Sequence, residues 1–106
     1  MKSTRFPSLP IILFFVLSLF FAVSANAFDR VVVVEVSGVI NPVAAEFVTQ
    51  EIEAANAEND ALIVLELDTP GGLDTSMRII IKSIQASKVP VATYVSPAGS
   101  RAASAG

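Results

Sequence analysis

Three features of the sequence predict an α/β fold built on a parallel sheet of β-α-β-α-β order. Three short runs, Arg30–Val36 (RVVVVEV), Ala61–Leu67 (ALIVLEL) and Val89–Val95 (VPVATYV), are rich in β-branched and aliphatic residues. Helix-length segments with apolar residues at 3.6-residue spacing separate them. Glycine-bearing loops follow the second and third runs, where an open α/β sheet forms its sites. Strands alternating with helices imply right-handed crossovers and parallel pairing.

The first residues stand apart. Met1–Pro10 carries Lys2 and Arg5 and no acid, and Ile11–Val23 is a run of thirteen residues, apolar except for Ser18. Ala25-Asn26-Ala27 fits the small-x-small cleavage rule, so residues 1–27 read as a secretory signal peptide cleaved after Ala27. The other reading is a retained anchor helix, but a spanning helix needs about 20 apolar residues. Residues 28–106 then form the folded part.

With Lys2 and Arg5 removed, five basic side chains face ten acidic ones. That balance excludes a nucleic-acid surface. There is no cysteine to staple a small exported unit and no histidine to act as general base or metal ligand. Neither a cofactor nor a metal site is called for. A piece of this size buries only about 60% of its unfolded surface, so the chain reads as the N-terminal portion of a larger domain, with the sheet incomplete.

Four consecutive valines in the first run suggest a strand covered on both faces. Ser37-Gly38 breaks it. Asn41-Pro42 marks a helix start, Asn as N-cap and Pro at the first position. From Val43 to about Glu58, Ala44, Phe47, Val48, Ile52 and Ala55 form the predicted buried stripe. Glu46, Glu51 and Glu53 fall on the solvated side. Asn59-Asp60 closes the helix. After the second strand, Pro70-Gly71 suits the centre of a type II turn, where Gly takes positive φ. A second helix is predicted over Asp74–Ala86, its stripe Met77, Ile80, Ile81 and Ile84, with Arg78 and Lys82 on a more polar side. Pro90 sits near the start of the third strand, where a missing donor is tolerated. Ser96–Arg101 is a loop, and a third helix is expected to begin near Ala102 or Ala103.

The two glycine-bearing loops, Asp68–Gly72 and Ser96–Arg101, share one edge of the sheet. Ser104, set among Ala102, Ala103, Ala105 and Gly106, offers a hydroxyl there. Gly71-Gly72 lets backbone approach a substrate closely because no Cβ intervenes. The N–H of Ala105 at a helix start would lack an intrahelical partner. A hydroxyl between two backbone donors is the arrangement acyl transfer requires. Each signal also has an ordinary structural reading. Pro-Gly-Gly is usually a tight turn, a serine among alanines a packed small residue or cap, Asp68 a turn residue bonding its own backbone, and Arg101 a solvated charge.

Together, Ile63–Gly72 (IVLELDTPGG), Val89–Gly99 (VPVATYVSPAG) and Arg101–Gly106 (RAASAG) resemble the membrane-bound serine proteases of the NfeD type, relatives of ClpP and of signal peptide peptidase A in the ClpP/crotonase fold. The resemblance covers roughly Arg30–Gly106. It implies that Ser104 is the nucleophile, that Gly71 and Ala105 supply the oxyanion-hole N–H groups, and that the general base is a lysine on a later segment, not present in this chain. Lys82 and Lys88 match no family position and are not assigned. The resemblance further implies an exported protein, on the periplasmic side and held to the membrane through later segments, cleaving an apolar peptide such as the C-terminal tail of a stomatin-like membrane protein, and it allows a homo-oligomer. Three alternatives stand beside it: a signal-peptide peptidase A-like protease, a crotonase-like acyl-CoA enzyme, and a non-catalytic scaffold that keeps the fold.

Overall fold

A computed structural model of the chain describes residues 9–22 and 29–106. The cleavage expected after Ala27 lies outside them. The apolar N-terminal run forms helix α1, Leu9–Ala22. Among the described residues, no helix is long and apolar enough to cross a membrane.

The remaining elements follow the predicted order: β1 (Val31–Ser37), α2 (Pro42–Ala57), β2 (Leu62–Asp68), α3 (Asp74–Ala86) and β3 (Val91–Val95). The strands lie in the order β1-β2-β3, both pairings parallel, with Val33 opposite Val64, Ser37 opposite Asp68 and Leu65 opposite Thr93. β2 is therefore central, and the segments leaving β1 and β3 flank the one leaving β2.

The start of α2 is as expected. The Asn41 side chain accepts from the Ala44 N–H at 2.8 Å, and Pro42 opens the helix. At its far end Asn59 takes φ +53°, the left-handed conformation asparagine tolerates better than most residues. The buried face of α2 is Ala45, Val48, Ile52 and Ala55. Ala44 is only half-buried and Phe47 is 45% exposed, which corrects two positions of the predicted stripe. The helix is rotated so that the small Ala45 and the β-branched Val48 and Ile52 meet the sheet, and the larger ring is left outside.

Coverage of the sheet is also corrected. Both helices pack on the face carrying Val34, Val36, Ile63 and Leu65, with Ile80 and Ile84 of α3 packed against the same cluster. On the opposite face Val31 is 50% exposed, Val33 58% and Tyr94 61%. The valine run shows that burial on both sides would be tolerated, but it does not supply the cover. α3 lies loosely: its Met77, Ile80 and Ile84 are half-buried and Ile81 is 41% exposed.

Two polar clusters fix the ends of these elements. Arg30, just before β1, pairs with Glu58 and with the buried Asp60, its Nε 2.8 Å from Asp60 Oδ1. Asn56 joins α2 to the α3–β3 connection. Its Nδ2 donates to Ile52 O and Ser87 Oγ, both at 2.8 Å, and its Oδ1 accepts from the N–H of Lys88 (2.8 Å) and Val89 (3.2 Å). Removing that side chain strips the Val89 N–H, on a buried residue, of its acceptor, which costs about 1–3 kcal/mol. Asn56→Ala should therefore lower the unfolding free energy by about 2 kcal/mol, and Asn41→Ala by only about 1 kcal/mol. Urea denaturation of both variants checks the ranking.

Candidate active site

The hydrogen-bond ladder of the sheet continues past the strands and draws three loops together. On one side of β2, Gly38 N donates to Asp68 O at 2.9 Å, Ile40 N to Gly71 O at 2.9 Å and Leu73 N to Ile40 O at 2.8 Å, so that Ile40 and Gly72 form a parallel bridge. On the other side, Thr69 N donates to Arg101 O at 2.7 Å and Ala103 N to Thr69 O at 3.1 Å, a parallel bridge between Thr69 and Ala102. The predicted shared edge of the two glycine-bearing loops is thus a continuous backbone ladder. Asp68 belongs to it too: it ends β2, and its Oδ1 accepts from Arg101 N at 3.4 Å rather than from its own loop.

This ladder seats Ser104 against Gly71. A Cβ placed on Gly71 would come within 2.5 Å of Ser104 Cβ and 3.1 Å of Ala105 N, so only glycine allows the approach. Gly71 has φ +107°, as the predicted turn requires. Gly72 is held as closely on the other side, where a Cβ would overlap the Ile40 backbone. The third helix is not observed among the described residues. Ala102 is in the bridge and Ser104-Ala105 form a turn, closed by Gly106 N donating to Ala103 O at 2.9 Å. Ser104 sits in that turn at φ +52°. A non-glycine residue at positive φ costs roughly 1–2 kcal/mol, and such strain tends to collect at functional sites. The bridge on Ala102 accounts for it: the chain must leave an extended ladder and reverse at once.

The geometry separates the two glycines. The Gly71 N–H donates to Thr69 Oγ1 at 3.1 Å and is buried, which takes it away from Ser104. Gly72 is different. Because Gly71 O and Leu73 N–H both face Ile40, the alternation of an extended backbone turns the Gly72 N–H the opposite way. That is the side on which Ala102–Ala105 lies. Among the described residues, neither the Gly72 nor the Ala105 N–H has a hydrogen-bond partner. A pocket of about 160 Å³ is lined by Gly72, Asp74, Met77, Ser104 and Ala105. The Gly71 N–H, expected to line an oxyanion hole, is thus bonded inside its own loop, while the Gly72 N–H is not. Nothing in Pro-Gly-Gly distinguishes the two; the hydroxyl of the preceding Thr69 is the only residue-level signal.

Met77 and Ala105 also border a second, apolar groove of about 270 Å³, walled by Ile80, Ile81, Ile84 and Val95. Asp74 is the single titratable group in the Ser104 pocket. Its carboxylate accepts from Arg78 Nε at 2.8 Å, and this pair raises the pKa of the exposed guanidinium further above its ordinary value. Lys82 and Lys88 line an open groove of about 660 Å³ between α2 and α3, with Glu53 and Asn56. Neither lysine lines the Ser104 pocket. Among the described residues no cluster of acidic side chains could hold a metal.

Comparison with known proteins concerns the chain as a whole. No protein-family profile matches the chain. The chain is 38% identical over 96 residues to the membrane-bound protease PH1510 of Pyrococcus horikoshii, a match covering 91% of this chain and 22% of that protein. It is a homologue of that protease. Solved structures agree. A membrane-bound stomatin-specific protease, 1510-N, in a form with a serine replaced by alanine, superposes with TM-score 0.73 at 40% identity, over 76% of this chain and 39% of the other. A form with a lysine replaced by alanine, in complex with a substrate peptide, superposes with TM-score 0.72 at 40% identity, over 76% and 36%. The 1510-N protease specific for a stomatin homologue from Pyrococcus horikoshii gives TM-score 0.70 at 41% identity, over 76% and 40%. The chain thus spans about a fifth of PH1510 and under half of each solved domain. Its three-stranded parallel sheet matches the fold of these protease domains, as the resemblance to ClpP-class proteases implies.

The geometry makes two stability predictions. Gly71→Ala should lose about 2 kcal/mol or more, from the clash with Ser104 and the positive φ. Ser104→Gly should be more stable than Ser104→Ala by about 1 kcal/mol, since glycine relieves the strained backbone. Calorimetric melting of the three variants checks both.

Proposed function

We propose that the chain is the N-terminal part of a Ser-Lys endopeptidase that cuts apolar segments of membrane-associated proteins. The carrying observation is Ser104 itself, a strained residue sharing a pocket with Gly72 and Ala105, whose N–H groups have no partner among the described residues, next to an apolar groove that Met77 and Ala105 also border. Ser104 Oγ attacks the scissile carbonyl carbon while a base takes its proton. The carbonyl oxygen becomes an oxyanion and accepts from the N–H of Ala105 and of Gly72, each donor lowering the barrier by about 2.7–4 kcal/mol. Collapse expels the amine, which takes a proton from the protonated base. Water then attacks the acyl-Ser104 ester by the same route and frees the carboxylate.

The base in this reading is a lysine carried on a later segment. Support comes from PH1510, whose replaced lysine lies roughly forty residues after its replaced serine. A neutral lysine at such a site needs burial or a neighbouring cation to lower its pKa. The apolar groove beside Ser104 suits an aliphatic or aromatic substrate side chain, and the stomatin specificity of the solved relatives makes the hydrophobic tail of a stomatin-like protein the first substrate to try. The N-terminal signal reading, with removal of residues 1–27, would place the site on the extracytoplasmic side. Of the alternatives, crotonase-like chemistry needs no strained serine, and a scaffold needs no unpartnered amides facing one.

A serine-directed phosphonylating probe tests this. In the full-length protein it should form one adduct, at Ser104, lost in Ser104→Ala together with hydrolysis of an apolar peptide. Mass spectrometry placing the adduct elsewhere, or finding none in active enzyme, overturns the assignment.

A further inference from the structure

Thr69 is fully buried and bonds in three directions. Its N–H and C=O hold the ladder to Arg101 and Ala103, and its Oγ1 accepts from Gly71 N at 3.1 Å. Its methyl lies against the last turn, where a Cβ on Gly106 would come within 2.5 Å of Thr69 Cγ2. Its side chain thus meets both the loop carrying the glycines and the turn carrying Ser104.

We infer that Thr69 is a positioning residue whose hydroxyl, by holding the Gly71 peptide, aims the Gly72 N–H into the Ser104 pocket. This rests on the reading of Ser104 as nucleophile. The physical case is one of freedom. Two consecutive glycines have the widest backbone choice of any pair, and each peptide plane between Pro70 and Leu73 can turn unless something holds it. Ile40 holds the Gly71 carbonyl from one side. The hydroxyl holds the Gly71 N–H from the other. The Gly72 N–H lies in one peptide plane with the Gly71 carbonyl. Ile40 holds that carbonyl from one side and the Thr69 hydroxyl donates to it at 3.5 Å from the other, while the same hydroxyl fixes the preceding plane through the Gly71 N–H. Without the hydroxyl, the buried Gly71 N–H lacks an acceptor and gains by turning toward another, which re-aims Gly72. Serine at 69 keeps the acceptor. Valine keeps the shape and the backbone ladder but removes it.

The test is turnover of an apolar peptide by the full-length protein, with active sites counted by complete reaction with the phosphonylating probe. Thr69→Val should lower kcat per titrated site about tenfold or more, bounded by the roughly 10²–10³-fold loss of a whole donor, with KM little changed. Thr69→Ser should restore most of the rate. A role in folding alone would reduce the number of titratable sites and leave kcat per site unchanged, and that result overturns the inference while the protease reading stands. Failure of the wild-type protein to label at Ser104 overturns both. Where Thr69→Val does not fold, amide hydrogen exchange in the wild-type protein decides. The Gly71 N–H should be protected well beyond those of Gly72 and Ala105, and exchange as fast as theirs overturns the inference.

Discussion

The backbone pairing of Thr69 with the Arg101–Ala103 segment is the constraint on which the rest of the site depends. Two hydrogen bonds, at 2.7 and 3.1 Å, extend the β2–β3 ladder beyond the strands. They set the height of Ser104 against Gly71 and force the turn in which Ser104 takes positive φ. On the far side the Ile40–Gly72 bridge does the same for the glycines. The site is thus made of three loops, each leaving the carboxyl end of a parallel strand and each fastened by main-chain bonds. Side chains add to this at a few points: Thr69 is fully buried, Ile40 belongs to the hydrophobic core and Ala105 packs against it. Precision comes from the ladder, and the helices supply the core beneath it.

That division also explains the chemistry available. Among the described residues, the Gly72 and Ala105 N–H groups are left without partners beside Ser104, which takes positive φ. The same residues form a tight turn and a small-residue contact, and in the proposed function they serve as a pair of donors around a hydroxyl. Homology to a membrane-bound protease, with solved relatives in which a serine and a lysine have been replaced, is consistent with that use.

Much of the fold was legible in the residues. Asn41-Pro42 marked the start of α2, Asn59-Asp60 its end, and Pro70-Gly71 a turn with positive φ, because in each case the required backbone geometry selects a few residue types. The shared edge of the two loops followed from strand order alone. What was not legible depends on tertiary context. Four valines cannot say which face receives a helix. The choice of Ala45 over Ala44, and the exposure of Phe47, follows from how α2 rotates on the sheet. Ala102–Ala105 has the composition of a helix start, but the bridge to Thr69 claims Ala102 first. Gly71 and Gly72 are alike in sequence, and only the Thr69 hydroxyl and the alternation opposite Ile40 separate their N–H groups.

A crystal structure of the full-length protein with a phosphonate bound covalently at Ser104 tests the central claim most directly, since the phosphoryl oxygen stands where the oxyanion forms. That oxygen should lie about 2.7–3.1 Å from the N–H groups of both Gly72 and Ala105, with the Gly71 N–H still on Thr69 Oγ1. An oxygen bonded instead to a Gly71 N–H released from Thr69, or pointing away from both loops, would contradict the account.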